Sequence, residues 1–275
     1  MQGSTWWRVL RGPQWWHFLA LPLAAWNVES DAGWRVRGLS CARGVALTAS
    51  CLAFAYGLNA ITDRTMDLSD AKNPLVGYSG SLGSSRAAVL ICALLALAIG
   101  GVAGGIPLIA AGVSLVGGFV YSAGPRLKTV VAIGTVCNLV IFAPLLVVGL
   151  PPGTPLERTL GLVPLLVTFG GLLLQNQLLH ERADQDEDRG HVRSTASVLG
   201  ESGTLSAIVG VGAVALGALF ALRAASLLWL ASALALSCGA LAALPLSRPA
   251  AERRRRHRVV SVVAGGLVFV VCSLR

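Results

Sequence analysis

Asn59, Asp63 and Asp67 stand four residues apart in the run Gly57-Leu58-Asn59-Ala60-Ile61-Thr62-Asp63-Arg64-Thr65-Met66-Asp67. On a helix this spacing puts all three side chains on one face. The residues before Asn59 are apolar, so the stripe falls at the end of a membrane-embedded helix, where unpaired carboxylates are costly. They persist there when a cation sits with them. Oxygen donors on one rigid face suit Mg2+, which takes one or two carboxylates together with phosphate oxygens. A second stripe of the same period, Asn176, His180, Asp184 and Asp188, lies in the segment 176–190. Taken alone, a charge-dense loop of that kind reads equally well as a solvated connector. The matched spacing, side and depth of the two stripes argue for chemistry: facing each other, they form a two-centre metal site able to hold a diphosphate. A third element, Tyr121-Ser122-Ala123-Gly124-Pro125-Arg126-Leu127-Lys128, brings Arg126 and Lys128 to the same membrane face. Fixed cations there lower the barrier to departure of a diphosphate, whose charge grows as it leaves.

The elements that must position these residues follow from composition. Of the 275 residues, 55% are hydrophobic and only 13% charged, and the mean hydropathy is +0.70. A soluble domain has about 45–50% apolar and about 25% charged residues. There is too little polar surface for a water-soluble fold, and the composition excludes a disordered chain, a disulfide scaffold, a fibrous protein and an ordinary cytosolic enzyme. An integral membrane protein remains. Nine apolar segments are expected to span the bilayer: 13–28, 39–60, 87–101, 105–121, 129–150, 159–179, 203–222, 225–246 and 259–274. The charge-free stretch 87–124 is too long for one span, and its glycines and proline at 100–107 mark the turn.

The chain carries 22 Lys and Arg against 13 Asp and Glu, a formal charge of +9. With nine spans, Arg8, Arg11, Arg64, Lys72, Arg86, Arg126, Lys128 and the basic residues of 182–193 and 248–258 share one side with the N-terminus. Few remain for the other side, so the N-terminus and both acid stripes are expected in the cytoplasm. The Arg253–Arg256 run reads as a topology anchor near anionic lipid, not a nucleic-acid patch. The six cysteines form no CxxC pair and read as small buried hydrophobes. Six of the seven tryptophans lie in the first 34 residues, as an interfacial belt would, and no cleavable signal is legible.

Together, Asn59-xxx-Asp63-xxx-Asp67, then Tyr121-Ser122 with Pro125-Arg126-Leu127-Lys128, then Asp184-xxx-Asp188 with Thr195 and Val198-Leu199-Gly200, resemble the UbiA superfamily of intramembrane prenyltransferases. The resemblance runs through most of the chain. It implies one all-α transmembrane domain over 1–275, a bundle of about nine helices with a central cavity opening sideways to lipid. It implies Mg2+ held by Asp63, Asp67, Asp184 and Asp188, which also serve as the catalytic residues, with an isoprenyl diphosphate on the metals. Asn59, Lys72, Arg126 and Lys128 then bind the diphosphate. The sequence departs from the family pattern in three places, one of them Gly190, which stands closer to Asp188 than the pattern usually places its glycine. Lys72-Asn73-Pro74-Leu75 stands where relatives often have Arg-Pro, so a phosphate-facing cation is either absent or supplied by Lys72. His180 stands one turn before Asp184, where several relatives have another acid.

The activity so implied is Mg2+-dependent transfer of an isoprenyl group from an allylic diphosphate to a second small molecule, within a bacterial-type cytoplasmic membrane. Ionisation of the C–O bond gives a carbocation that an acceptor captures. An aromatic acceptor is the expectation, because the superfamily often uses one. Some members cyclise the isoprenoid with no acceptor, and terpene cyclisation is the alternative. A transporter fits less well, because transport sites tend to lie near the midplane on inverted repeats. Here the acids gather at one face, and any internal repeat is parallel. The partners expected are the diphosphate, the acceptor and the bilayer, with no nucleic acid and no required protein partner.

Overall fold

The structure, a computed structural model, describes residues 9–27, 33–67, 73–185, 193–224, 226–244 and 246–273. Among these residues every regular element is a helix. The α-helices are α1 (Gly12–Trp15), α2 (Trp34–Asp63), α3 (Gly83–Ala103), α4 (Gly105–Ser122), α5 (Ile133–Phe142), α6 (Leu156–Leu160), α7 (Val163–Asp184), α8 (Thr195–Ala221), α9 (Ser226–Ala242) and α10 (Ala250–Ser273). Four of them, α2, α3, α4 and α8, are long and apolar enough to cross a membrane. Ile133–Leu146 and Leu227–Ala242 are shorter apolar helices. Large aliphatic side chains such as Leu94, Val102, Ile109, Val214 and Val263 are exposed, as expected where lipid replaces water as the solvent.

The turn expected at 100–107 falls at Gly104, whose φ of 73° places it in the left-handed region that favours glycine and separates α3 from α4. The first expected span, 13–28, differs from a regular α-helix. One turn, α1, leads into a 3-10 segment, Trp16–Asn27, with Pro22 inside it. α8 bends at Gly200, where φ is 68° and ψ −171°. The turn that carries Thr195 is thereby set apart from the long apolar part of the helix.

The chain forms two compact units. The first comprises residues 1–127 and 140–159, the second 128–139 and 160–275. In the first, α2, α3 and α4 pack on one another, and the 3-10 segment Trp16–Asn27 lies on α2. Glycine allows that last contact. A Cβ on Gly149 would stand 2.2 Å from the Pro22 carbonyl oxygen, and one on Gly44 would stand 2.7 Å from the Gly149 Cα. Both obstacles are backbone and do not swing aside. Gly149→Ala is therefore expected to destabilise the first unit by about 3 kcal/mol or more, read as a lowered unfolding midpoint in detergent. An unchanged midpoint would show that the approach is looser than described.

In the second unit α7, α8, α9 and α10 pack together. A buried polar hub ties them. Gln175 Nε2 donates to the carbonyls of Ile208 (3.1 Å) and Leu236 (3.3 Å), and Gln175 Oε1 meets His257 Nε2 at 3.2 Å. Both side chains are fully buried. Gly239 makes room, since a Cβ there would stand 2.5 Å from Gln175 Oε1. Around the hub Leu178, Leu179, Ile208 and Ala243 form an apolar cluster. The Arg253–Arg256 run is thus not wholly a surface anchor. Arg253 is 4% exposed, donates to the Ala243 carbonyl and pairs with Glu201 Oε1 at 2.5 Å, whereas Arg255 and Arg256 are exposed.

Candidate functional site

In the first unit the polar end of α2 meets the end of α4. Asn59 lies on the last turns of α2, and its Oδ1 accepts from Ser122 Oγ at 3.2 Å. One turn on, Asp63 is buried, and its Oδ1 accepts from Arg126 Nη2 at 3.0 Å. A carboxylate left without partners at this depth would be strongly unfavourable, and the guanidinium offsets that cost. Arg126 reaches Asp63 from a left-handed backbone, with φ at 51°. A non-glycine residue pays about 1–2 kcal/mol for that conformation, and such strain concentrates where a side chain must be aimed.

The stripe predicted on one helix is divided in the structure. α2 ends at Asp63, and Asp67 stands past a turn closed by Met66 and Asp67 N–H groups on the Asp63 carbonyl, at 2.8 and 2.9 Å. The second of these bonds keeps the i to i−4 spacing, so Asp67 still follows Asp63 by one turn. Its Oδ2 accepts from Asn73 Nδ2 at 2.9 Å. Lys72 lies outside the described residues.

In the second unit the end of α7 carries the other stripe. His180 Nδ1 and Asp184 Oδ1 are 3.2 Å apart, and both side chains are partly exposed. Asp188 lies outside the described residues. Lys128 sits in the 3-10 turn Leu127–Thr129. Glu181, one residue off the stripe, carries a network that the sequence reading missed. Its carboxylate accepts from Thr135 Oγ1 (2.6 Å), Gln177 Nε2 (3.3 Å) and the Ala196 N–H (3.2 Å). The Thr195 hydroxyl lies 2.6 Å from that of Thr135 and accepts from the Ala132 N–H at 2.9 Å. Glu181 therefore closes the start of α8 onto the end of α7. Arg182 adds a second tie, with Nε 2.6 Å from Glu201 Oε2. No spacing rule on a single stripe picks out Glu181, because it points about 100° away from His180 on the helix.

Among the described residues no three His, Cys, Asp or Glu side chains gather into one cluster. The donors at the end of α2 are an amide oxygen and two carboxylates, the hard oxygen type that Mg2+ takes and that softer metals do not prefer. Five thiols, those of Cys41, Cys51, Cys92, Cys137 and Cys238, are free.

The profile of the UbiA prenyltransferase family matches residues 15–264. The chain belongs to that family. No curated protein sequence matches it. Among solved structures it resembles a UbiA homologue from Archaeoglobus fulgidus bound to DMAPP and Mg2+, at 19% identity and a TM-score of 0.72. That match covers 99% of this chain and 100% of the homologue. It also resembles a digeranylgeranylglyceryl phosphate synthase, at 12% identity and a TM-score of 0.73, covering 99% of each chain. A UbiA homologue from Aeropyrum pernix K1 matches at 16% identity and a TM-score of 0.66, covering 94% of this chain and 98% of the other. At these identities the likeness is one of fold. Family membership and the four long apolar helices make the chain an integral membrane protein of the UbiA type.

Proposed function

We propose that this protein transfers an isoprenyl group from an allylic isoprenyl diphosphate to a second small molecule inside the membrane. The observation that carries this reading is the end of α2, where Asn59 and Asp63 meet Ser122 and Arg126. A carboxylate and a guanidinium held together at the end of an apolar helix suit a diphosphate with its counter-cation. The A. fulgidus structures, solved with DMAPP or with GPP and Mg2+, support the same substrate class.

In this reading Asp63, Asp67, Asp184 and Asp188 hold Mg2+ and act as the catalytic carboxylates. Asn59, Lys72, Arg126 and Lys128 contact the diphosphate. Bound Mg2+ supplies charge neutralisation for the departing diphosphate. The chain's own residues do the rest. Arg126 donates hydrogen bonds toward oxygens that gain charge as the allylic C–O bond ionises. The apolar helices keep water from the carbocation until the acceptor's electron pair closes the new bond and the acceptor sheds a proton. The full reading takes 1–275 as one domain of about nine spans in a bacterial-type cytoplasmic membrane. The N-terminus and the site face the cytoplasm, in line with the sorting of basic residues.

Product analysis tests it. The protein in lipid nanodiscs is given a panel of isoprenyl diphosphates and Mg2+, with and without aromatic acceptors, and products are identified by mass spectrometry. A prenylated aromatic product with release of inorganic diphosphate is the expected result. A cyclic hydrocarbon or alcohol formed without acceptor would assign the terpene-cyclase chemistry instead. Intact diphosphate in every arm would remove both.

A further inference from the structure

We propose that Asn73 is a positioning residue, one that sets the Asp67 carboxylate in place for the diphosphate and its cation. This rests on the site reading above and extends it to a residue that enters the sequence pattern only as a departure.

Asp67 lies beyond the end of α2, so helix geometry alone does not fix its side chain. Asn73 does so instead. It is fully buried, and each of its polar atoms is engaged. Oδ1 accepts from the Leu75 N–H at 3.0 Å, which fixes the sense of the amide. Nδ2 then faces the other way and donates to the Ala60 carbonyl and to Asp67 Oδ2, both at 2.9 Å. One side chain therefore links the last turns of α2, the carboxylate past its end and the segment that follows.

That segment is itself anchored. Leu75 and Leu82 pack with Val9, Ala60 and Val89 in one apolar cluster, with Tyr78 and Phe54 against it. The amide is thus held by a rigid support, the arrangement a reactive carboxylate needs if its position is to be set before substrate arrives. A carboxylate that already accepts one neutral N–H also keeps its orientation when its net charge is drawn to a cation.

The test reads metal requirement apart from turnover. Purified protein in nanodiscs is titrated with Mg2+ in the presence of inorganic diphosphate, and the rise in unfolding midpoint is followed. Asn73→Ser retains a hydroxyl that accepts from the Leu75 N–H but does not span to Asp67. Asn73→Ala drops both contacts. In each variant the Mg2+ concentration for half-maximal protection is expected to rise about tenfold. In an Asp67→Ala background the same substitutions add no further rise, because the effect passes through that carboxylate. A wild-type Mg2+ requirement in Asn73→Ser, or full additivity with Asp67→Ala, would overturn the proposal and leave the site reading standing. So would failure of Asn73→Ser to fold, which would mark Asn73 as a folding residue alone. Absence of any Mg2+ and diphosphate protection in the unaltered protein, which would sink the site reading too, removes both.

Discussion

Asp63→Ala and Asp184→Ala are each expected to lower prenyl transfer by a thousandfold or more while the protein still inserts into membranes. Removing a carboxylate that works with a cation on a departing diphosphate takes away several kcal/mol of transition-state stabilisation, and about 4 kcal/mol corresponds to a thousandfold. For Asp63 the local consequence is visible. Its Oδ1 is where Arg126 Nη2 docks, so the truncated variant also loses that contact. Asp63→Asn keeps the shape and separates the loss of charge from the loss of the contact. Asp184 sits on another helix, with His180 one turn before it. A loss at Asp184 as large as that at Asp63 would assign both carboxylates to the reaction. Initial rates with a fixed diphosphate and membrane-extracted protein level give the readout. Retained activity in both variants would refute the assignment of the carboxylates.

Arg126→Gly is expected to cost about a hundredfold in turnover, the size seen when one donor to a developing oxyanion is removed, and to lower the unfolding midpoint by less than removal of a buried partner alone would. The substitution is chosen for its backbone. At φ 51° an arginine is strained and glycine is not. Relief of that strain offsets only part of the cost of taking the Arg126 contact away from the buried Asp63. Arg126→Lys keeps a charge but not the planar fork, and is expected to recover only part of the rate. If Arg126→Gly retained full turnover and lost only stability, the guanidinium would be a structural partner of Asp63 only.

Part of the candidate site was legible in the chain, because Asn59 and Asp63 sit on one helix and His180 and Asp184 on another. The period of four through Asn59 and Asp63 and through His180 and Asp184 needs no tertiary information, since a helix converts it directly into a shared face, whereas Asp67 falls past the end of α2. Arg126 was legible through its place in the run after Pro125. Residues that act across segments were not. Asn73 entered as a departure, and Glu181 was hidden because it lies off the stripe. Its partners, Thr135 and Ala196, are 46 and 15 residues away, and no local periodicity links such positions.

The same division holds for the fold. Composition by itself determined an integral membrane protein, because a chain with 13% charged residues cannot cover a soluble surface. The hydropathy pattern likewise put the turn near Gly104, since glycines and a proline interrupt an otherwise charge-free run. Only the tertiary structure decided that the N-terminal apolar stretch winds as a 3-10 segment through Pro22 against Gly44 and Gly149, that α8 bends at Gly200, and that Arg253 and His257 turn inward. Solvent preference is a property of each residue summed along the chain, and so can be read from sequence. Close approach of backbones, the aim of a strained arginine and the burial of an ion pair depend on which distant segments meet, and folding alone fixes that.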